Sequence, residues 1–229
     1  MVALFVVLTI ALCVTADSVV QWRRARRERE ARRLAEGLAP AYEMGRASAP
    51  AGVFLDEGHT WVQVAPTGSV AVGVDGFARS LIGHVDAVDL PPVGKEVRRG
   101  DVLFALRQGD RRAAFAAPLD GVVSAVDEEL EWHPEVIEFD PYEEGWVCAL
   151  EPKNLARDLR QLHLADEARD WLRGEAHKFQ EFCAARPLEE TRLGRALRDG
   201  RRPAAAPLEL LDDGAWRQFT DEFLRPHAH

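Results

Sequence analysis

Residues 104–124 read FALRQGDRRAAFAAPLDGVVS. Two apolar runs flank a polar Gly-Asp-Arg-Arg centre, the pattern of a hairpin whose exposed tip lies near Gly109 and Asp110. After Pro118, an Asp-Gly pair turns the chain into a further strand, GVVSAV. Glycine suits Gly121 and Gly100 because the backbone of such turns commonly needs positive φ. Outward from this hairpin the pattern repeats. VLFAL, AAFAA, GVVSAV and GWVCAL are short β-rich runs between Gly and Pro breakers. Upstream, TWVQVAPTGSVAVGV predicts two strands joined by a Pro-Thr-Gly turn. DGFARSLIG predicts a short helical turn capped by Asp75, HVDAVDL a half-buried strand, and PPVGKEVRRGD a turn-rich connector. Many short strands at this spacing imply a mainly β sandwich or barrel.

The order of these pieces makes residues 58–172 similar to the H protein of the glycine cleavage system. GHTWV resembles that family's His-x-Trp opening, and VGVDGFARSLIGHVDAVDLPPVGKEV follows its Val-Gly-Ile to Leu-Pro-x-Val-Gly pattern. APLDGVVSAVDEEL and PEVIEFDPYEEGW match its Ala-Pro-x-x-Gly and Asp-Pro-Tyr-x-x-Gly-Trp segments. The resemblance implies a barrel-sandwich hybrid, lipoyl-domain-like, followed by C-terminal helices. It also implies a carrier role in which lipoate, joined to a hairpin lysine, swings between the glycine decarboxylase, the aminomethyltransferase and dihydrolipoamide dehydrogenase.

The hairpin has no such lysine. Counting without gaps from Gly100 to Pro118 puts RQGD, residues 107–110, on the family's Glu-Ser-Val-Lys, so Asp110 occupies the acceptor position. A carboxylate cannot become the lipoyl amide, and the guanidinium groups of Arg111 and Arg112 stay protonated and accept no acyl group. The chain's three lysines are Lys95 in the VGKEV turn, Lys153 near the C-terminal helices and Lys178 on a helix. All three read as solvated surface residues. No lipoate, other cofactor or catalytic residue is therefore expected.

Net charge is -9, which disfavours a nucleic-acid partner because phosphate contacts need clustered Lys and Arg. Cys13, Cys148 and Cys183 lie far apart with no CxxC pair, which excludes a zinc ribbon and reads as inert thiols. His59 and His84 lack ligand spacing and point to local packing or hydrogen bonding. The terminal His-Ala-His carries no role, so no metal site is expected. DPYEEGW reads as a structural loop rather than an acid-base pair.

The N-terminus is apolar from Val2 to Ala16 and extends through VVQW to Trp22. At about 1.5 Å per residue it spans roughly 30 Å, one bilayer core. Seven arginines follow between Arg23 and Arg33, the side expected to stay cytoplasmic. Residues 1–22 are thus read as an uncleaved single-pass anchor in the inner membrane, with the bulk of the chain cytoplasmic. A cleaved signal or a lipoprotein leader is the alternative. Residues 23–52 read as a basic helix and linker, 53–184 as the H-protein-like domain with its helices, and 185–229 as a linker and a short amphipathic helix. Leu155, Leu159, Leu162, Trp171, Phe179 and Phe182 recur at near-helical spacing, and Trp216, Phe219 and Phe223 form an apolar stripe that fits either the core or an interface.

The expectation is a membrane-tethered, non-catalytic adaptor or scaffold that acts by protein contact, with protein partners in a membrane-associated complex. A genuine lipoyl carrier shuttling an aminomethyl group is one alternative. A membrane-fusion-type transporter adaptor is another; its split sandwich and outward location fit these contiguous strands poorly.

Overall fold

A computed structural model describes residues 49–186 and 206–224. The expected membrane span and basic helix lie outside the described residues. Among the described residues, no helix is long and apolar enough to cross a membrane.

Among the described residues, ten strands form two antiparallel sheets. They are β1 (Val53–Leu55), β2 (Thr60–Val64), β3 (Val70–Val74), β4 (Ala87–Asp89), β5 (Glu96–Val97), β6 (Val102–Gln108), β7 (Arg111–Ala116), β8 (Gly121–Val126), β9 (Trp146–Pro152) and β10 (His163–Leu164). The larger sheet runs β10-β1-β2-β3-β9-β8-β5 and the smaller β4-β6-β7. Both turn their apolar faces inward: Val62, Val72, Leu150 and Val123 from one meet Phe104, Leu106, Ala113 and Phe115 from the other in a single buried core. Phe104 and Phe115 stack across β6 and β7 at 5.2 Å between ring centroids. The connector read as turns also contains β5, which pairs with β8.

Helix α1 (Gly76–Ile82) crosses between β3 and β4, and the Asp75 carboxylate accepts from the Ala78 amide at 2.7 Å, the expected cap. Gly73 and Gly121 are set by close approach rather than by φ. Trp61 and Gly73 are paired across β2 and β3, and a Cβ at Gly73 would lie 2.7 Å from the indole. A Cβ at Gly121 would lie 2.7 Å from the Glu151 carbonyl oxygen. Positive φ therefore explains Gly100, at +89°, but not Gly121.

After the short helix α2 (Val136–Phe139) and β9 come α3 (Leu155–Asp158) and the long α4 (Ala165–Ala184). The leucine series does not belong to one helix: Leu162 is extended, and the next two residues form β10 against β1. The final helix, α5 (Asp213–Phe223), packs on the domain. Phe219 and Phe223 meet Phe179 and Phe182 of α4 with centroids 5.7–6.1 Å apart for the pairs made by Phe223 and Phe182 or Phe179. Trp216 is buried as well, so this apolar stripe is core.

Phe219 has no exposed surface. Phe219→Ala should lower stability by about 3 kcal/mol or more, read as a fall in the urea midpoint. A smaller denaturant slope in the same curves would show that residues 206–224 detach before the sandwich unfolds.

Candidate functional site

The β6–β7 hairpin closes with Gln108 opposite Arg111, leaving Gly109 and Asp110 as its two-residue tip. Gly109 has φ +56°, and glycine at the first turn position suits a type II′ hairpin. Nearly every polar side chain around the tip is tied down. Gln108 donates to the carbonyls of Ile82 and His84 at 3.1 and 2.8 Å. The Gly109 amide donates to Asp86 at 2.6 Å. Arg107 and Arg112 both pair with Asp89, at 2.8 and 2.9 Å. Arg111 leaves the hairpin sideways. It donates to Asp213 at 2.8 Å and to the carbonyls of Leu208 and Leu211 at 3.0 and 2.8 Å, and its guanidinium lies 5.3 Å from the Trp216 ring centre.

Asp110 is the exception. It is exposed and is without an ion pair or hydrogen bond among the described residues. The lysines sit elsewhere. Lys95 donates to the Val102 carbonyl at 3.0 Å, and Lys153 pairs with Glu96. Lys178 is less solvated than its sequence suggests: its ammonium lies 4.4 Å from the Phe223 ring centre and 3.6 Å from Glu175.

A second cluster lies inside the molecule. His59 sits in the β1–β2 turn with φ +60° and is fully buried. Its Nδ1 donates to Asp75 at 2.8 Å, and its Nε2 faces Glu175 of α4 at 3.5 Å, an ion pair longer than a good hydrogen bond. Phe77 and Trp171 flank the imidazole, each at 5.0 Å. Burial alone would lower its pKa, but the Asp75 and Glu175 carboxylates push it up to about 9. Burial tends to raise the Glu175 pKa, but His59 and Lys178 outweigh that and hold it below the usual carboxylate range. His59 thus joins the sheet, the α1 cap and α4.

His84 is exposed and bridges Glu138 at 2.9 Å and Asp86 at 3.2 Å. The DPYEEGW segment is structural. Trp61 donates to the Pro141 carbonyl at 2.8 Å, and the Tyr142 hydroxyl accepts from the Gly76 amide at 2.9 Å. Cys148 and Cys183 are buried, which pushes both thiols up to about 12. Among the described residues, no three His, Cys, Asp or Glu side chains converge on a metal position; the terminal His-Ala-His lies outside them.

The family model described as "Glycine cleavage H-protein" matches residues 53–175, more than half of the chain. The chain belongs to the glycine cleavage H-protein family. The "Probable glycine cleavage system H protein" of Thermococcus kodakarensis is 37% identical over 131 residues, covering 57% of this chain and 97% of that protein. The "Glycine cleavage system H protein" of Listeria monocytogenes serotype 4b is 37% identical over 120 residues, covering 52% and 94%. A crystal structure of a glycine cleavage system H protein from Mycobacterium marinum is 28% identical with a TM-score of 0.43, covering 45% of this chain and 86% of that one. H proteins are carriers rather than enzymes, and this H-family chain is not an enzyme. Its relatives' names place them with the other proteins of the glycine cleavage system.

The structure puts Asp110 at the tip of the hairpin, with Arg107 and Arg112 on its two strands. Two features of this H-family protein had no sequence signal. Glu175 sits in a charged helix like several other acids, and Arg111 meets its partners far along the chain at residues 208–216.

The charged His59 makes a prediction about pH. A folded pKa above the unfolded value means its contribution is complete below about 6.5 and is lost as pH rises through about 9. That contribution is about 3 kcal/mol. Urea unfolding should show stability falling over this range. His59→Gln should be less stable at neutral pH and lack most of that fall.

Proposed function

We propose that this H-family protein is a contact module without the lipoyl arm: a non-catalytic adaptor or scaffold that meets protein partners through a carrier-shaped domain. Residues 1–22 would hold it at the cytoplasmic face of a membrane, with the arginines from Arg23 to Arg33 on the inner side. The observation that carries the reading is the hairpin tip. An exposed aspartate with no partner among the described residues stands at position 110, and no lysine lies between Lys95 and Lys153. Lipoylation needs an amine that can be acylated, on a stem long enough to travel. Asp110 has neither the amine nor the length.

The relatives' names favour a second reading, a genuine lipoyl carrier of the glycine cleavage system, since the 37% identity extends over 97% of one such protein. The two readings differ by one covalent group. Intact mass of the protein purified from its native membranes should equal that of the unmodified chain; the added mass of one lipoyl group would establish the carrier instead. The position itself can be probed separately. Asp110→Lys, with Arg107→Glu added, should become a weak substrate for a lipoyl ligase. A well-folded variant that takes no lipoate would show that Asp110 does not occupy the acceptor position. A reporter fused after His229 should be active on the cytoplasmic side.

A further inference from the structure

Outside the hairpin, the segment from Asp127 to Trp146 carries nine Asp or Glu residues and no Lys or Arg. It begins as a 3-10 turn, Glu128–Glu131, and continues through backbone bonds from Val136 to His133, Ile137 to Pro134 and Glu138 to Glu135 into α2. The seven-residue spacing of Leu130 and Ile137, both fully buried, marks the inward side. Trp132 and Phe139 have the same spacing and are 79% and 80% exposed, the two most exposed large apolar side chains among the described residues. Between them His133 is non-helical, and the chain turns through residues 134 and 135 before α2 begins. Five of the nine acids are also uncompensated, while Glu135 and Glu138 pair with His133 and His84 and the Glu138 carbonyl accepts from Arg79. Glu128, Glu129, Glu131, Glu143 and Glu144 make no ion pair among the described residues, whereas Asp89, Asp120 and Asp213 elsewhere on the surface are each paired to arginine.

Two solvated aromatic rings cost free energy that an isolated domain has no reason to bear, and a rim of unpaired carboxylates selects the sign of what covers them. We propose that this face binds an arginine-rich segment of a partner protein. The guanidinium groups would stack on Trp132 and Phe139 while the neighbouring glutamates take up the charge. Lysine fits less well, because an ammonium lacks the planar face that stacks on an indole. The inference names a partner chemistry for the contact module and rests on that reading. The two fail separately, because a lipoyl group on the native chain would leave the binding described next unchanged.

The test uses the full chain in detergent and a fluorescein-labelled nine-arginine peptide, followed by anisotropy at near-physiological salt. Saturable binding is expected, weaker by about tenfold in Trp132→Ser/Phe139→Ser and in Glu128→Gln/Glu131→Gln. Asp166→Asn/Glu167→Gln, which removes exposed acids on α4, should bind like the parent, and a nine-lysine peptide should bind more weakly. Unaltered binding by the aromatic double variant would mean general attraction to a negative protein and would overturn the proposal, as would no binding at all. Binding that emerges only after the seven arginines from Arg23 to Arg33 are changed to glutamine would assign the face to the chain's own basic segment and equally overturn it.

Discussion

His59 in its carboxylate cage is the contact on which the arrangement of the domain depends. A buried imidazolium is costly unless both ring nitrogens find negative partners. Here Asp75 supplies one from the start of α1 and Glu175 the other from α4. Removing either carboxylate would leave the imidazole with one negative partner between Phe77 and Trp171 and favour its neutral form. The long helix therefore has one position against the larger sheet, reinforced by β10 pairing with β1 just before it begins. From α4 the constraint passes to α5 through the phenylalanine cluster, and from α5 to the hairpin through Arg111 and Asp213. The charge group around His59 and the hairpin are thus joined by packed rings and one guanidinium.

Local patterns that made the strands legible were those whose cause is also local. Alternation, the Gly-Asp tip and the Asp75 cap depend on neighbours a few residues away, and each lies where the pattern put it. Leu162 was misleading because periodicity cannot register that the next two residues have a strand to pair with. Gly121 was legible as a necessary glycine but not for its reason, since the obstruction is a carbonyl on β9. The charge cage and the Arg111 anchor were illegible. Both join segments far apart in the chain, and surface Glu and Arg are too common for either partner to stand out.

The C-terminal stripe shows how one apolar pattern can have two meanings until its neighbours are known. Trp216, Phe219 and Phe223 lie beyond the part of the chain that the family model covers, so a binding role was open. They are buried against Phe179 and Phe182. Among the described residues, the rings that do remain in water are Trp132 and Phe139, within the family domain itself, where the sequence alternates apolar residues with many acids. Exposure, and not hydrophobicity, separates the two cases.

The pairing of the arginines also decides the sign of the hairpin. Arg-Gln-Gly-Asp-Arg-Arg puts charges of both signs around the tip. In the fold, Arg107 and Arg112 share Asp89, and Arg111 is neutralised by Asp213 and by carbonyl oxygens. Their charge is directed to the sides of the hairpin, and the carboxylate of Asp110 is left facing solvent. A carrier's tip presents a long uncharged amide stem once it is loaded. This tip presents a short, fixed anion on an anchored turn, so any surface that meets it head-on must supply a hydrogen-bond donor or a positive charge.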